Sequence, residues 1–182
     1  SLGIQTHGGM GFIEETGAAR FWRDSRIAPI YEGTNGIQAA DLVTRKLSLS
    51  NGAQVRGFIQ ELKDTVSAVR TSNLEGFGET ADRLEASLAD LEETTEWLLA
   101  QLAAGNASTA LAGATPYQRL FGLALTGVYL AKGALADEEH GRDNRLALCR
   151  FAAENIIAET AALKDRVING AASLEAARAL FA

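Results

Sequence analysis

Cysteine is nearly missing from this sequence. One residue, Cys149, among 182 excludes an internal disulfide and any multi-cysteine metal site. It stands in an apolar-periodic stretch, where a free cysteine behaves as a small hydrophobe, so a place in the core is expected. Histidine is almost as scarce: His7 and His140 are the whole complement. With no second histidine at ligand spacing, no metal site is expected, and His7 is expected to pack or hydrogen-bond locally. No Ser-His-Asp or Cys-His arrangement is readable. Proline occurs twice, at Pro29 and Pro116, which together with abundant alanine and leucine points to an all-α chain. No uninterrupted apolar run reaches the roughly 18 residues that cross a bilayer, and no signal-peptide pattern opens the chain. A cytoplasmic location is the expectation. There is no initiator methionine, and Leu2-Gly3-Ile4-Gln5 reads as the end of an element already under way, so a piece of a longer protein is expected.

What is present is the composition of a globular protein, 47% hydrophobic and 22% charged. At this length a core of useful size can be buried. The net charge is −6, unevenly spread. Residues 1–50 carry five Lys/Arg against five Asp/Glu, which leaves 12 basic and 18 acidic residues in 51–182. That acidity argues against a nucleic-acid partner, which would require a positive surface.

Texture changes at Ser48-Leu49-Ser50-Asn51-Gly52, a turn-like stretch. Residues 1–47 are rich in glycine, aromatics and arginine; 51–182 are alanine, leucine and glutamate at helical spacing. In the first part a short helix is expected over 16–25. Pro29 prevents its continuation through the apolar, strand-like run 27–31. A second helix starts at Thr34 or Asn35 and runs to Leu47 with Ile37, Ala40, Leu42 and Val43 on its apolar face.

The second part predicts an antiparallel bundle of four long helices. Their stripes are Val55, Phe58, Ile59, Leu62, Val66 and Val69; Leu84, Leu88, Leu91, Thr95, Leu98 and Leu102; Leu120, Phe121, Ala124, Val128, Ala131 and Leu135; and Leu146, Cys149, Ala153, Ile156, Ile157 and Leu163. Thr115 and Pro116 suit the start of the third helix. The fourth is expected as one piece over about 142–168, with a short tail helix from Ser173. Gly122, Gly127 and Gly133 each cost the third helix about 1 kcal/mol against alanine, which close helix approach would explain.

Three stretches could carry chemistry. Gly8-Gly9-Met10-Gly11 could cradle a phosphate or make a plain turn; its spacing is neither a Walker loop nor a dinucleotide fingerprint. In Phe21-Trp22-Arg23-Asp24-Ser25-Arg26, one aromatic packing and local ion pairs suffice as an account. Glu32 is either a solvated surface carboxylate or a proton-abstracting group. Flanking apolar residues would desolvate it and make it more basic, and the helix start after it would present N–H groups of Gly33 to Gly36 to an anion.

Taken together, Gln5-Thr6-His7-Gly8-Gly9-Met10-Gly11-Phe12, then Arg23-Asp24-Ser25-Arg26-Ile27, then Ile30-Tyr31-Glu32-Gly33-Thr34-Asn35-Gly36-Ile37-Gln38 resemble the C-terminal signature of acyl-CoA dehydrogenases, in order and in spacing. The resemblance covers about residues 1–47. It implies a C-terminal helical domain whose last helices occupy 1–50, and FAD as cofactor. By position, Gln5, Thr6, His7, Gly8 and Gly9 would touch the FAD of a neighbouring subunit, and Thr34, Asn35 and Gly36 would lie at the flavin cofactor. Several members have glutamine where this chain has Gly36, which leaves only a backbone contact there. Glu32 would be the catalytic base, with Gly33 beside the acyl-CoA substrate. The resemblance further implies α,β-dehydrogenation of an acyl-CoA thioester, an electron-transfer flavoprotein as electron acceptor and a homo-oligomer. Residues 51–182 resemble the additional helical domain of long members of the methylthiopropionyl-CoA dehydrogenase type. A chain of this extent lacks the family's middle β domain, so by itself it is expected to be inactive; the alternative role for it is a helical oligomerisation or interaction module.

Overall fold

The computed structural model describes residues 1–72, 74–138, 144–178 and 180. Arg142, expected at the start of the fourth long helix, and His140 lie outside the described residues. Among those described there is no strand, so the chain is all-α. It divides into two compact units, Ser1–Gln38 and Ala39–Ala182.

The helices α1 (Leu2–Thr6), α2 (Gly9–Phe12), α3 (Ala18–Ser25) and α4 (Asn35–Asp41) come first in the chain, and α5 (Ala53–Ser72), α6 (Thr80–Ala103), α7 (Ala107–Ala112), α8 (Ala114–Glu138), α9 (Asn144–Asn155) and α10 (Thr160–Arg178) follow in the second unit. Most of each expected stripe is buried, but Phe58, Leu102, Phe121 and Leu146 are only partly so, and Ala134 is buried in place of Leu135. Val55, Ile59, Leu62, Val66 and Val69 of α5 recur at alternating steps of four and three and are all buried, as are Leu84, Leu88, Leu91, Thr95 and Leu98 of α6. On α8 the buried row is Tyr117, Leu120, Ala124, Val128, Ala131 and Ala134. Phe58 and Phe121 stack with ring centroids 6.2 Å apart.

Cross-helix pairs fix the directions. Arg70 meets Asp82 and Glu85, Lys63 meets Glu92, and Arg56 meets Glu96. As one number falls the other rises, so α5 and α6 are antiparallel. Exposed pairs of this kind are each worth less than about 1 kcal/mol; their value here is the register they reveal. Thr95 faces Tyr117 and Leu84 faces Gly127, which makes α6 and α8 antiparallel. Arg145 pairs with Asp137, Arg119 with Glu159, and Val167 lies at Gly113, so the last leg runs back along α8. The topology is up-down-up-down, with α6 and the last leg side by side in the same direction.

That last leg is broken, contrary to the single helix expected. The α-helical ladder of α9 stops at Asn155, Ile156 takes φ −114°, a 3-10 turn covers Ile157–Glu159, and α10 begins at Thr160. The break turns Ile157 fully inward while Ile156 stays 39% exposed. Continuous helical spacing would have left these adjacent residues about 100° apart and both at the edge of the stripe. No separate tail helix forms, because α10 continues through Ser173 to Arg178. At the start of α8, Gly113 rather than Thr115 takes the first helical bond, its carbonyl accepting from Tyr117 N–H at 3.0 Å. Pro116 still falls within the first turn, where its missing N–H costs nothing.

The buried polar groups are paired. Thr95 Oγ1 donates to the Leu91 carbonyl at 2.6 Å and accepts from the Tyr117 hydroxyl at 2.7 Å; burial pushes the phenol's pKa up, so it stays a donor. Asp90 accepts from Thr160 Oγ1 at 3.0 Å and from Lys164 Nζ at 2.9 Å, tying α10 to α6. Cys149 is buried as expected, and that burial pushes its thiol up to about 11.

Ahead of the bundle, α4 (Asn35–Asp41) passes into a π turn, Leu42–Lys46, closed by Leu47 N–H on the Leu42 carbonyl at 2.9 Å. In a plain α-helix each four-residue step carries a side chain about 40° past the last. The wider turn removes part of that drift, so that Ala39, Val43 and Leu47 all stay buried. The helix then ends where the turn-like stretch was expected: Ser50, Asn51 and Gly52 have φ of 51°, 54° and 82°.

Of the three glycines in α8, one serves close approach. A Cβ on Gly127 would lie 2.5 Å from Leu84 Cδ2 and 3.0 Å from Ile157 Cδ1, whereas one on Gly122 would meet nothing and one on Gly133 only Arg145 at 3.6 Å. The helix α8 is also long and apolar enough to cross a membrane by length and composition; its buried row is the centre of the bundle. In denaturant unfolding followed by circular dichroism, Gly122→Ala is expected to stabilise the chain by about 0.5–1 kcal/mol. Gly127→Ala is expected to destabilise it by about 1–3 kcal/mol through overpacking.

Candidate functional site

The candidate residues lie in the first unit, which is built differently from the bundle. Helix α1 (Leu2–Thr6) ends in a tight reversal: His7 N–H donates to the Gly3 carbonyl at 3.2 Å and Gly8 N–H to the Gln5 carbonyl at 3.1 Å. Gly8 then adopts φ 59°, ψ −140°, a region essentially reserved for glycine. This reversal lets α2 (Gly9–Phe12) fold back on α1. Gly11 is buried there, and a Cβ on it would strike the Ile4 carbonyl oxygen. The Gly-Gly-Met-Gly stretch is thus a turn and a close crossing. Gly8 and Gly9 also leave open backbone, since a Cβ on either would meet no atom within 4 Å.

A 3-10 turn, Glu14–Thr16, and Gly17 at φ 78° lead into α3 (Ala18–Ser25). This is the short helix expected over 16–25, starting two residues later. Arg23 pairs with Glu14 at 2.6 Å, and Asp24 with Arg20 at 3.7 Å. Neither aromatic of the block is buried: Phe21 is 78% exposed and Trp22 42%. They instead line, with Ile4 and His7, a shallow cleft of about 320 Å³. The first and second sequence blocks therefore meet at this cleft, through His7 on one side and Ser25 on the other. Gln5 and His7 are exposed, while the Thr6 hydroxyl donates to the Leu2 carbonyl at 2.9 Å within its own helix.

The third block forms a different construction. Residues 27–31 are consecutive turns, with Ile30 and Tyr31 N–H groups both donating to the Ile27 carbonyl at 3.0 Å. The strand-like run expected there does not form, because Pro29 sits where a compact turn is closed from both sides. Glu32 follows at φ 55° and Gly33 at φ 95°. Two hydrogen bonds hold this corner: Asn35 N–H to the Pro29 carbonyl at 3.1 Å, and Gln38 Nε2 to the Glu32 carbonyl at 2.6 Å. Thr34 takes the N-cap position of α4, its carbonyl accepting from Gln38 N–H at 3.0 Å.

Glu32 is exposed, as are Gly33, Thr34, Asn35 and Gly36. The desolvation expected from the flanking apolar residues is not supplied by Ile27, Ile30 and Tyr31, which are themselves more than half exposed. Of the N–H groups expected to face an anion, that of Asn35 is already committed to Pro29. Around Gly36 the backbone is open, since a Cβ there would meet nothing. Among the described residues no hydrogen bond or ion pair joins the Glu32 corner to the His7 cleft. The residue that sequence reasoning passed over is Gln38. Its only signal was its place at the end of the third block, one turn into the helix after Glu32.

Comparison with known proteins decides the family. A family model described as "Acetyl-CoA dehydrogenase C-terminal like" matches residues 53–178, and one described as "Acyl-CoA dehydrogenase, C-terminal domain" matches residues 1–47. This chain belongs to the acyl-CoA dehydrogenase family. It is 40% identical over 166 residues to the 3-methylmercaptopropionyl-CoA dehydrogenase of Ruegeria pomeroyi, which covers 87% of this chain and 27% of that protein. It is 38% identical over 68 residues to a butyryl-CoA dehydrogenase of Syntrophomonas wolfei, 37% of this chain and 11% of that protein. It is 42% identical over 65 residues to a broad-specificity linear acyl-CoA dehydrogenase of Mycobacterium tuberculosis, 34% of this chain and 11% of that one. The chain thus spans about a quarter of the length of the Ruegeria relative, and corresponds to a C-terminal part of an acyl-CoA dehydrogenase.

Proposed function

We propose that this chain is the base-bearing C-terminal part of a flavin-dependent enzyme that introduces an α,β double bond into an acyl-CoA thioester. The observation that carries this reading is the Glu32 corner: an exposed carboxylate on a left-handed residue, held by two hydrogen bonds, in a chain of this family. Glu32 takes the α-proton of the thioester. FAD, held by the residues named below, would supply the redox chemistry as hydride acceptor. An α-proton is weakly acidic, so the step needs hydrogen bonds to the thioester carbonyl as enolate character develops; a backbone N–H of the Glu32–Gly33 pair is positioned in sequence to give one. Exclusion of water by the covering parts of the full protein makes the carboxylate a stronger base.

The residues that would hold FAD fit a flat polar cofactor. Gln5 and His7 offer an exposed amide and imidazole, Gly8, Gly9 and Gly36 open backbone, and Thr34 and Asn35 exposed polar side chains, with Thr6 contributing through its backbone. Gly36 has no side chain to offer, so its contact is through the main chain. We place the domain boundary at residues 50 and 51, supported by the left-handed run at Ser50 to Gly52, although packing groups Ala39 onward with the bundle. The reading includes a cytoplasmic homo-oligomer that passes its electrons to an electron-transfer flavoprotein.

In the full-length enzyme, Glu32→Gln is expected to abolish flavin bleaching by acyl-CoA under anaerobic conditions while leaving FAD bound. Normal bleaching by that variant would sink the assignment of the base. The 182-residue chain, expressed alone and mixed with FAD, is expected to pass through gel filtration without retaining flavin absorbance; a stoichiometric yellow preparation would show that these residues alone form the pocket.

A further inference from the structure

The backbone of Glu32 is in a conformation it does not choose by itself. A non-glycine residue at φ 55° brings its Cβ close to its own carbonyl oxygen, and such residues persist only where the surroundings fix them. Here the surroundings are few. Asn35 N–H closes the outer side of the turn on Pro29, and Gly33 at φ 95° lets the chain leave the corner. Among the described residues, the Glu32 carbonyl accepts from one group, the side-chain amide of Gln38 at 2.6 Å.

Gln38 is suited to that task. It is half-buried, and its own N–H is bonded to Thr34, so its backbone belongs to α4 and does not move with the turn. Its Nε2 passes close to Gly33, where a Cβ would lie 3.5 Å away. The amide therefore ties a strained loop residue to a helix. Because φ and ψ of Glu32 set the direction of its Cα–Cβ bond, whatever holds the carbonyl also aims the carboxylate.

We propose that Gln38 is the positioning residue of the Glu32 base: its amide N–H holds the Glu32 carbonyl and so fixes the direction from which the carboxylate approaches the α-carbon of an acyl-CoA. The inference rests on the reading of Glu32 as the base. Without the clamp the residue relaxes toward the right-handed or extended regions, and the carboxylate leaves its line of attack. A displacement of about 1 Å at a reacting group costs on the order of 100-fold in rate.

The test uses the full-length flavoenzyme and a saturated straight-chain acyl-CoA that bleaches the wild-type flavin. Gln38→Leu keeps the volume and deletes the donor; Gln38→Glu replaces the donor with an acceptor; Gln38→Lys keeps an N–H donor at similar reach. Rapid-mixing flavin reduction is expected to slow by about 10- to 100-fold in Gln38→Leu and Gln38→Glu and to be largely restored in Gln38→Lys. FAD content and the acyl-CoA concentration at half-saturation should stay within about twofold, because the clamp acts on the base and does not touch the ligand. Glu32→Gln is measured alongside. If Gln38→Leu bleaches at the wild-type rate while Glu32→Gln does not, the positioning role is overturned and the base stands. If all three Gln38 variants lose FAD or slow alike, Gln38 is merely structural and the proposal fails. If Glu32→Gln itself bleaches normally, the base assignment fails first and the positioning role falls with it.

Discussion

The bundle stands on one apolar layer, and only residues from Ala39 onward contribute to it. Leu84, Leu88 and Leu91 of α6, Tyr117, Leu120 and Ala124 of α8, and the inward rows of α5 and α10 close around each other with almost no exposure. Burying a leucine is worth about 1.5–3 kcal/mol, and this layer repeats that gain along several turns of helix. Residues before Ala39 share none of it. Ten of their large apolar side chains are exposed, among them Leu2, Phe12, Phe21, Trp22, Ile27, Ile30, Tyr31 and Ile37. On the proposed reading the other parts of the enzyme cover this apolar surface.

This asymmetry connects fold to function. A carboxylate that abstracts a weakly acidic proton needs two things: a fixed direction and an environment poor in water. On the proposed reading the turn closed by Asn35 and Gln38 provides the first. Ile27, Ile30 and Tyr31 leave Glu32 open to solvent; on the proposed reading the rest of the enzyme supplies the second. A chain that spans about a quarter of its Ruegeria relative has the shape of that division of labour. The proposed base and its proposed clamp both lie in this chain.

The sequence made the bundle legible because its stripes keep a regular alternation of four and three, a pattern that only a helix with one buried face satisfies. It hid the break at Ile156 and Ile157, where two adjacent isoleucines continue the apolar pattern although only one can point inward. It hid α7, too short to show a period. The three α8 glycines looked alike, and only the position of Leu84 and Ile157 singles out Gly127. In the first unit the ordered blocks gave the family and the candidate residues, and nothing of the geometry. A left-handed glutamate contradicts local preference, so no propensity argument finds it, and a glutamine side chain that bonds back six residues leaves no periodic trace.

The described residues from Ala39 onward are held by their own core, and on the proposed reading 1–38 are covered by the rest of the enzyme. Amide hydrogen exchange, followed by mass spectrometry on the isolated chain and on the full-length enzyme with FAD added, tests this most directly. Peptides from α5, α6 and α8 should be strongly protected in both proteins. Peptides from α1 to α3 should exchange almost freely in the isolated chain and become protected in the full enzyme. Equal, strong protection of residues 1–38 in both would contradict the account.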